Sequence, residues 1–168
     1  KPIRSASQIL GRNLVRGSIV VYESTVYPGV TEDICVPILE KESGKKAGTD
    51  FGVCYSPEFI ALGSIINDFL NPDFTLIGEI DDRCGSQLED LYSRVVGNGA
   101  PSARMTLENA ELAKISINTF VTTKITFANM LAEICEKIPG GDVDIVSNAL
   151  GLDKRIGTSY LNPGIGYG

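Results

Sequence analysis

Lys114 and Asn118 stand four residues apart in a stretch with neither glycine nor proline. On a helix that spacing puts both side chains on one face. A cation and an amide placed together can hold a substrate oxygen and stabilise negative charge developing on it. The ordinary alternative pairs Lys114 with Glu111 and leaves Asn118 on a polar strip. Glu58, in Ser56-Pro57-Glu58-Phe59, follows one strand-like run, and Thr25, in Glu23-Ser24-Thr25, follows another. Open α/β sheets bind ligands at the carboxyl ends of their strands. A carboxylate there is a candidate general base, and a hydroxyl can place a water or cap the next helix. The alternative for Glu58 is a solvated loop acid. Arg155 carries the planar fork suited to phosphate or carboxylate, with a salt bridge to nearby Asp153 as its alternative. The tail Gly164-Ile165-Gly166-Tyr167-Gly168 either lets backbone approach a ligand closely or is a flexible end.

Composition narrows the chemistry further. The 168 residues contain no histidine, so a Ser-His-Asp triad, a Cys-His pair and a His-ligated metal are excluded within this chain. Tryptophan is absent and aromatics make up 7%, which disfavours a base-stacking platform. Fifteen basic against 21 acidic residues give a net charge of −6, so nucleic acid is not an expected partner. No run approaches the roughly 20 apolar residues of a membrane span, and no apolar signal core follows the N-terminus. Cys35, Cys54, Cys84 and Cys135 are scattered singly, without a CxxC pair. They read as buried, reduced thiols of a cytoplasmic protein, and no metal site is expected.

These candidates need elements to position them. Residues 5–16 have apolar positions at helical spacing, stopped by Gly17. Ile19-Val20-Val21-Tyr22 is a continuously apolar run that suits a strand of a parallel sheet. A turn at Tyr27-Pro28-Gly29 leads into a helix opening at Thr31-Glu32-Asp33, which Pro37 must bend or delay. Phe51–Tyr55 and Phe74–Ile77 are further strands, and 81–96 is an amphipathic helix. From Leu107 to Ile138 there is no Gly or Pro, and Thr106 is a fitting N-cap for one long helix. Its β-branched middle is stable as helix only if packing covers it. Pro139-Gly140-Gly141 ends it, and Asp142 caps a short helix over 143–150. The class is therefore α/β: a sheet domain, then a helical domain built on one long helix. The glycine-rich tail follows no strand and opens no helix, so it is not a dinucleotide fingerprint.

In order along the chain stand Glu-Ser-Thr-Val-Tyr-Pro-Gly (23–29), Ser-Pro-Glu-Phe (56–59) and Ala-Glu-Leu-Ala-Lys with Asn four later (110–118). Lys-Ile-Thr-Phe-Ala-Asn (124–129), Gly-Leu-Asp-Lys-Arg-Ile-Gly (151–157) and Tyr-Leu-Asn-Pro-Gly-Ile-Gly-Tyr-Gly (160–168) complete the series. Together they closely resemble the UDP-glucose/GDP-mannose dehydrogenase family over essentially the whole chain. The resemblance implies that residues 1–104 form the C-terminal part of a Rossmann-like NAD-binding domain. Residues 105–168 would form part of a central helical domain that makes a homodimer and binds substrate. The implied activity is NAD-dependent oxidation of a nucleotide sugar's C6 alcohol to the carboxylate, in two steps, the substrate being UDP-glucose or a UDP-N-acetylhexosamine. Thr25 would position the hydrolytic water and, with Ser24 and Val26, lie beside NAD. Glu58 would be the base for hydrolysis, with Phe59 also at the substrate. Lys114 and Asn118 would stabilise the oxyanion. Arg155 would reach substrate in the neighbouring subunit's site, and Asn162, Gly164, Gly166, Tyr167 and Gly168 would wrap the nucleotide sugar.

The chain departs from the family pattern in three respects. The GxGxxG loop is not present, and neither is the cysteine expected just after Gly-Tyr-Gly. Leu62 stands where many UDP-glucose enzymes carry a second glutamate. The chain is thus expected to be an internal piece that is inactive alone. The related alternatives are a β-hydroxyacid or 6-phosphogluconate-type dehydrogenase, against which Ser-Pro-Glu-Phe and Arg-Ile-Gly argue, and a non-catalytic UDP-sugar-binding dimer.

Overall fold

The structure, a computed structural model, describes residues 2–59 and 63–165. It divides into two units, Lys1–Lys114 and Ile115–Gly168. The first unit opens with α1 (Pro2–Asn13), three residues earlier than the apolar spacing implies because Pro2 is tolerated in a first turn. Strand β1 (Ile19–Tyr22) follows, then a π-helical turn (Val30–Cys35) that runs into α2 (Val36–Ser43). Pro37 sits in the first turn of α2, where its missing N–H costs nothing, which is how the chain absorbs it. Then come β2 (Gly52–Tyr55), α3 (Ile65–Leu70), β3 (Thr75–Glu79), α4 (Asp82–Val95) and β4 (Ser102–Thr106). Asp81 caps α4 by accepting from the Cys84 amide.

The strands lie in the order β1-β2-β3-β4. β1 pairs parallel with β2 and β3 with β4, but β2 and β3 run antiparallel, so the sheet is mixed. Alternate side chains face opposite sides. Val20, Tyr22, Val53, Tyr55 and Leu76 pack with Cys35, Val36 and Leu39 and with Leu107 and Ala110. Cys54 and Ile77 pack on the other side with Cys84 and Leu88 of α4. All four cysteines are free and buried.

Helix α5 (Leu107–Cys135) is 29 residues long, and the Asn109 amide donates to Thr106 Oγ1 at its start. Its first turns belong to the first unit. Gly78 of β3 lets them lie close: a Cβ there would come within 2.8 Å of Ala110 Cβ and 3.1 Å of Leu107 Cα. In the second unit Thr122, Thr123 and Thr126 each donate to the carbonyl four residues back, at 2.9–3.0 Å. Those back-bonds let a hydroxyl-rich run stay helical. Helix α6 (Val143–Gly151) starts at Asp142, whose carboxylate accepts from the Asp144 and Ile145 amides. Among the described residues no helix is long and apolar enough to cross a membrane.

Candidate active site

Two loops leave the carboxyl ends of the parallel strands β1 and β2, and α5 begins beside the same sheet. The loop after β2 stays in register because the Ser56 amide donates to the Tyr22 carbonyl at 2.9 Å. Tyr92 of α4 holds it from the other side, donating to Ser56 Oγ at 2.9 Å. This delivers Glu58 and Phe59 to Lys114. The Lys114 ammonium donates to the Glu58 carbonyl oxygen at 2.6 Å and sits 4.1 Å from the centre of the Phe59 ring. Phe59 packs in turn on Phe74, centroids 5.0 Å apart. Lys114 is only 7% exposed, and burial lowers its pKa, with Glu58 partly restoring it. It does not pair with Glu111. That carboxylate is taken up elsewhere, so the ordinary surface arrangement of α5 does not occur.

Glu111 is fully buried and accepts from the Gly29 amide at 2.6 Å and the Thr31 amide at 2.8 Å. The loop bearing Ser24, Thr25 and Val26 is thereby fastened to the turn of α5 that carries Lys114. Ser24 and Thr25 are exposed, and Val26 is half-buried. Beneath them the Tyr55 hydroxyl is buried, and burial pushes its pKa up to about 12. The Glu58 carboxylate is exposed. Burial raises the pKa of Glu23, at the end of β1, and the Glu58 charge raises it further. Two acids therefore stand at the ends of β1 and β2, close enough for one charge to act on the other. Sequence reasoning gave Glu23 and Glu111 no role at the site, although both stand in the segments quoted above; the partners of the second lie 80 and 82 positions away. A small apolar cleft opens beside Glu58 and Phe59, lined also by Phe69, Phe74 and Tyr92 but by neither Thr25 nor Lys114.

The other candidates belong to the second unit. Asn118 lies one turn beyond Lys114 on α5, on the same helix side, where it borders a shallow depression with Thr119, Thr122, Thr123 and Thr126. Arg155 is exposed and turned back on Asp153, Nη2 to Oδ2 2.6 Å, as its alternative reading had it. Asn162 and Gly164 are exposed. Gly164 is clasped by Asn129, which accepts from its amide at 2.7 Å and donates to its carbonyl at 2.9 Å. Lys124 donates to the Ile156 carbonyl at 3.0 Å. The two polar ends of Lys-Ile-Thr-Phe-Ala-Asn thus hold the two segments that follow, a role their spacing did not announce. Gly166, Tyr167 and Gly168 lie outside the described residues.

A nicotinamide dinucleotide can be tested against this donor set. The ends of β1 and β2 offer exposed hydroxyls, a backbone turn and two carboxylates. That chemistry fits the ribose and the positively charged nicotinamide ring. It does not fit the pyrophosphate, which calls for amides at a glycine-rich helix start. Among the described residues no three His, Cys, Asp or Glu side chains gather to hold a metal ion.

Residues 1–96 match the NAD-binding domain of the UDP-glucose/GDP-mannose dehydrogenase family, and residues 108–168 match its central domain. The chain belongs to that family. It is 36% identical to UDP-glucose 6-dehydrogenase AglM of Haloferax volcanii, over 99% of this chain and 40% of that protein. It is 39% identical to GDP-mannose 6-dehydrogenase of Pseudomonas putida, over 94% of this chain and 35% of that one. A UDP-glucose dehydrogenase structure from Pyrobaculum islandicum superposes with a TM-score of 0.88 at 38% identity, over 99% of this chain and 38% of that one. The chain therefore spans about two fifths of the length of these relatives. The family assignment carries with it the Rossmann-like class of the first unit and NAD as cofactor.

Proposed function

We propose that this chain is the part of a nucleotide-sugar 6-dehydrogenase that stabilises the developing oxyanion and directs water during oxidation of the sugar C6 alcohol to a carboxylate. One observation carries the proposal: Lys114, buried and 2.6 Å from the Glu58 carbonyl, joins the loop after β2 to the helix that also fastens the Thr25 loop. An ammonium bound once to a carbonyl keeps two hydrogens for a substrate oxygen. In low dielectric it stabilises charge there more strongly than in water. Asn118 adds an amide donor, Thr25 orients the water, and Glu58 takes its proton. Ser24, Thr25 and Val26 lie beside NAD, which when bound accepts the hydride. Phe59, Arg155, Asn162, Gly164, Gly166, Tyr167 and Gly168 bind the nucleotide sugar, Arg155 from a neighbouring subunit.

The domain division follows the same logic, with residues 1–104 serving the cofactor and 105–168 serving substrate and dimer. Phe120, Phe127 and Ile134 recur every seven residues on α5 with Met130 between them, all exposed, and such a row supports a homodimer through the long helix. The family's chemistry and the four free, buried thiols support a cytoplasmic location.

The substrate is a UDP-sugar, UDP-glucose or a UDP-N-acetylhexosamine. The similarity to GDP-mannose 6-dehydrogenases supports GDP-mannose as a second reading. Assay of the full-length protein for NADH with these sugars and with simple hydroxyacids decides among them. Two NADH per sugar nucleotide is the expected result. Turnover of hydroxyacids alone would point to the β-hydroxyacid group, and sugar-nucleotide binding without NADH to a non-catalytic module.

A further inference from the structure

The π-helical turn Val30–Cys35 opens at Gly29, which stands at φ 87° and has no side chain to cap the first amides. The helix start is nevertheless satisfied. Glu111, about 80 positions later, supplies both carboxylate oxygens, one to the Gly29 amide and one to the Thr31 amide. An acid at a helix start also meets the positive end of the helix dipole. A buried carboxylate is a costly way to fill space, and an apolar side chain would fill it at less cost. What the carboxylate provides is direction, because two charge-assisted bonds fix the turn in distance and angle. Glu111 and Lys114 lie three residues apart on α5, so their side chains are neighbours on one helix side.

We infer that Glu111 is a positioning residue: it caps the helix after β1 from outside and so sets the Thr25 loop at a fixed distance from Lys114. Tyr22 anchors one end of that loop through the sheet, and Glu111 anchors the other at Gly29. The six residues between them include the exposed Ser24 and Thr25 hydroxyls. Glu111 itself is fully buried and spends both carboxylate oxygens on the Gly29 and Thr31 amides, so it acts through the loop. The inference rests on the function proposed above for Thr25 and Lys114.

The test uses the full-length protein and Glu111→Gln, which keeps the shape but loses the charge and one of the two acceptors. Hydrogen exchange at the Gly29 and Thr31 amides should speed up about 10-fold or more, while β1 and β2 keep their protection. With nucleotide sugar and NAD, kcat should fall about 10- to 100-fold while KM for the sugar stays within about threefold. If exchange is unchanged, the cap is not what holds the turn, and the inference falls. If exchange quickens while kcat holds, Glu111 is structural only, and the inference also falls. Should the Gln variant not fold, Glu111→Asp, which withdraws the charge by one methylene, is read in the same way. A wild-type protein that reduces no NAD with any nucleotide sugar overturns the functional proposal instead, and the exchange measurement still decides whether the cap exists.

Discussion

The two units hold their candidate residues by opposite means. In the first, the contacts that place the loops are buried or partly buried: Glu111 on Gly29 and Thr31, Lys114 on Glu58, Tyr92 on Ser56. In the second they lie at the surface: Lys124 on Ile156, Asn129 on Gly164, Arg155 on Asp153. A hydrogen bond to a charged group is stronger away from water, and its loss strands a partner that water cannot reach. The first unit is thus built rigid by its own core. The second keeps its contacts open and carries a row of exposed apolar side chains along α5. Chemistry that needs fixed distances belongs in the first. Binding and association, which tolerate adjustment, suit the second.

The largest effect should follow from breaking the buried side of this comparison. In the full-length protein Lys114→Ala is expected to lower kcat about 10²- to 10³-fold with little change in KM. An unchanged kcat with a raised KM would remove Lys114 from the chemistry. Lys114→Arg sharpens the point through pH. The oxyanion needs the charged ammonium, and burial lowers the lysine pKa below its ordinary 10.5. Activity should therefore decline on the alkaline side below pH 10.5 in the wild type, because the lowered pKa is where the proton is lost. Arginine stays charged, so in that variant kcat/KM should not fall there.

On the open side, Phe127→Asp puts a charge in the middle of the apolar row. A homodimer through α5 should weaken about 100-fold or more, read as a halved mass by light scattering at micromolar concentration. The same change at Ile9 of the first unit, 62% exposed, should leave the mass as it was. Equal effects at both positions would break the contrast.

How far these features were legible in the residues depends on the distance between partners. The strand Ile19–Tyr22, the long helix and the caps at Thr106 and Asp142 rest on neighbours within a few positions, and periodicity and capping chemistry are local. Strand β4 was hidden: Ser-Ala-Arg-Met-Thr is half-buried at the sheet's edge, and Arg104 interrupts its pattern to reach Glu79, Asp82 and Glu89. Helix α3 has six residues and no buried face, so no stripe marks it. Nor could an apolar run say that β3 lies antiparallel to β2. Lys114 and Glu58 were legible as chemistry but not as partners, since a side chain meeting a backbone carbonyl 56 positions away leaves no spacing to find.

Packing gives the next effect. Gly78→Ala places a methyl against Ala110 and the Leu107 backbone, where helix and strand leave no room. The first unit should lose about 1–3 kcal/mol in denaturant unfolding. Gly164→Ala, with nothing within 4 Å of the new carbon, should cost the second unit little. A similar loss at both positions would mean the second unit is packed as tightly as the first.

The smallest effect belongs to Asn129. It gives and takes one hydrogen bond with Gly164, both exposed, so Asn129→Ala should cost only about 1 kcal/mol, because water replaces either bond. Global unfolding should scarcely register it. Exchange at the Gly164 amide should rise several-fold while the α5 amides stay protected, because the clasp holds the segment and not the helix. A rise in KM for the nucleotide sugar with kcat unchanged would match a segment that binds rather than reacts. If Asn129→Ala instead lowered kcat as Lys114→Ala does, the surface-held unit would be carrying chemistry, and the division between buried anchors and open ones would not hold.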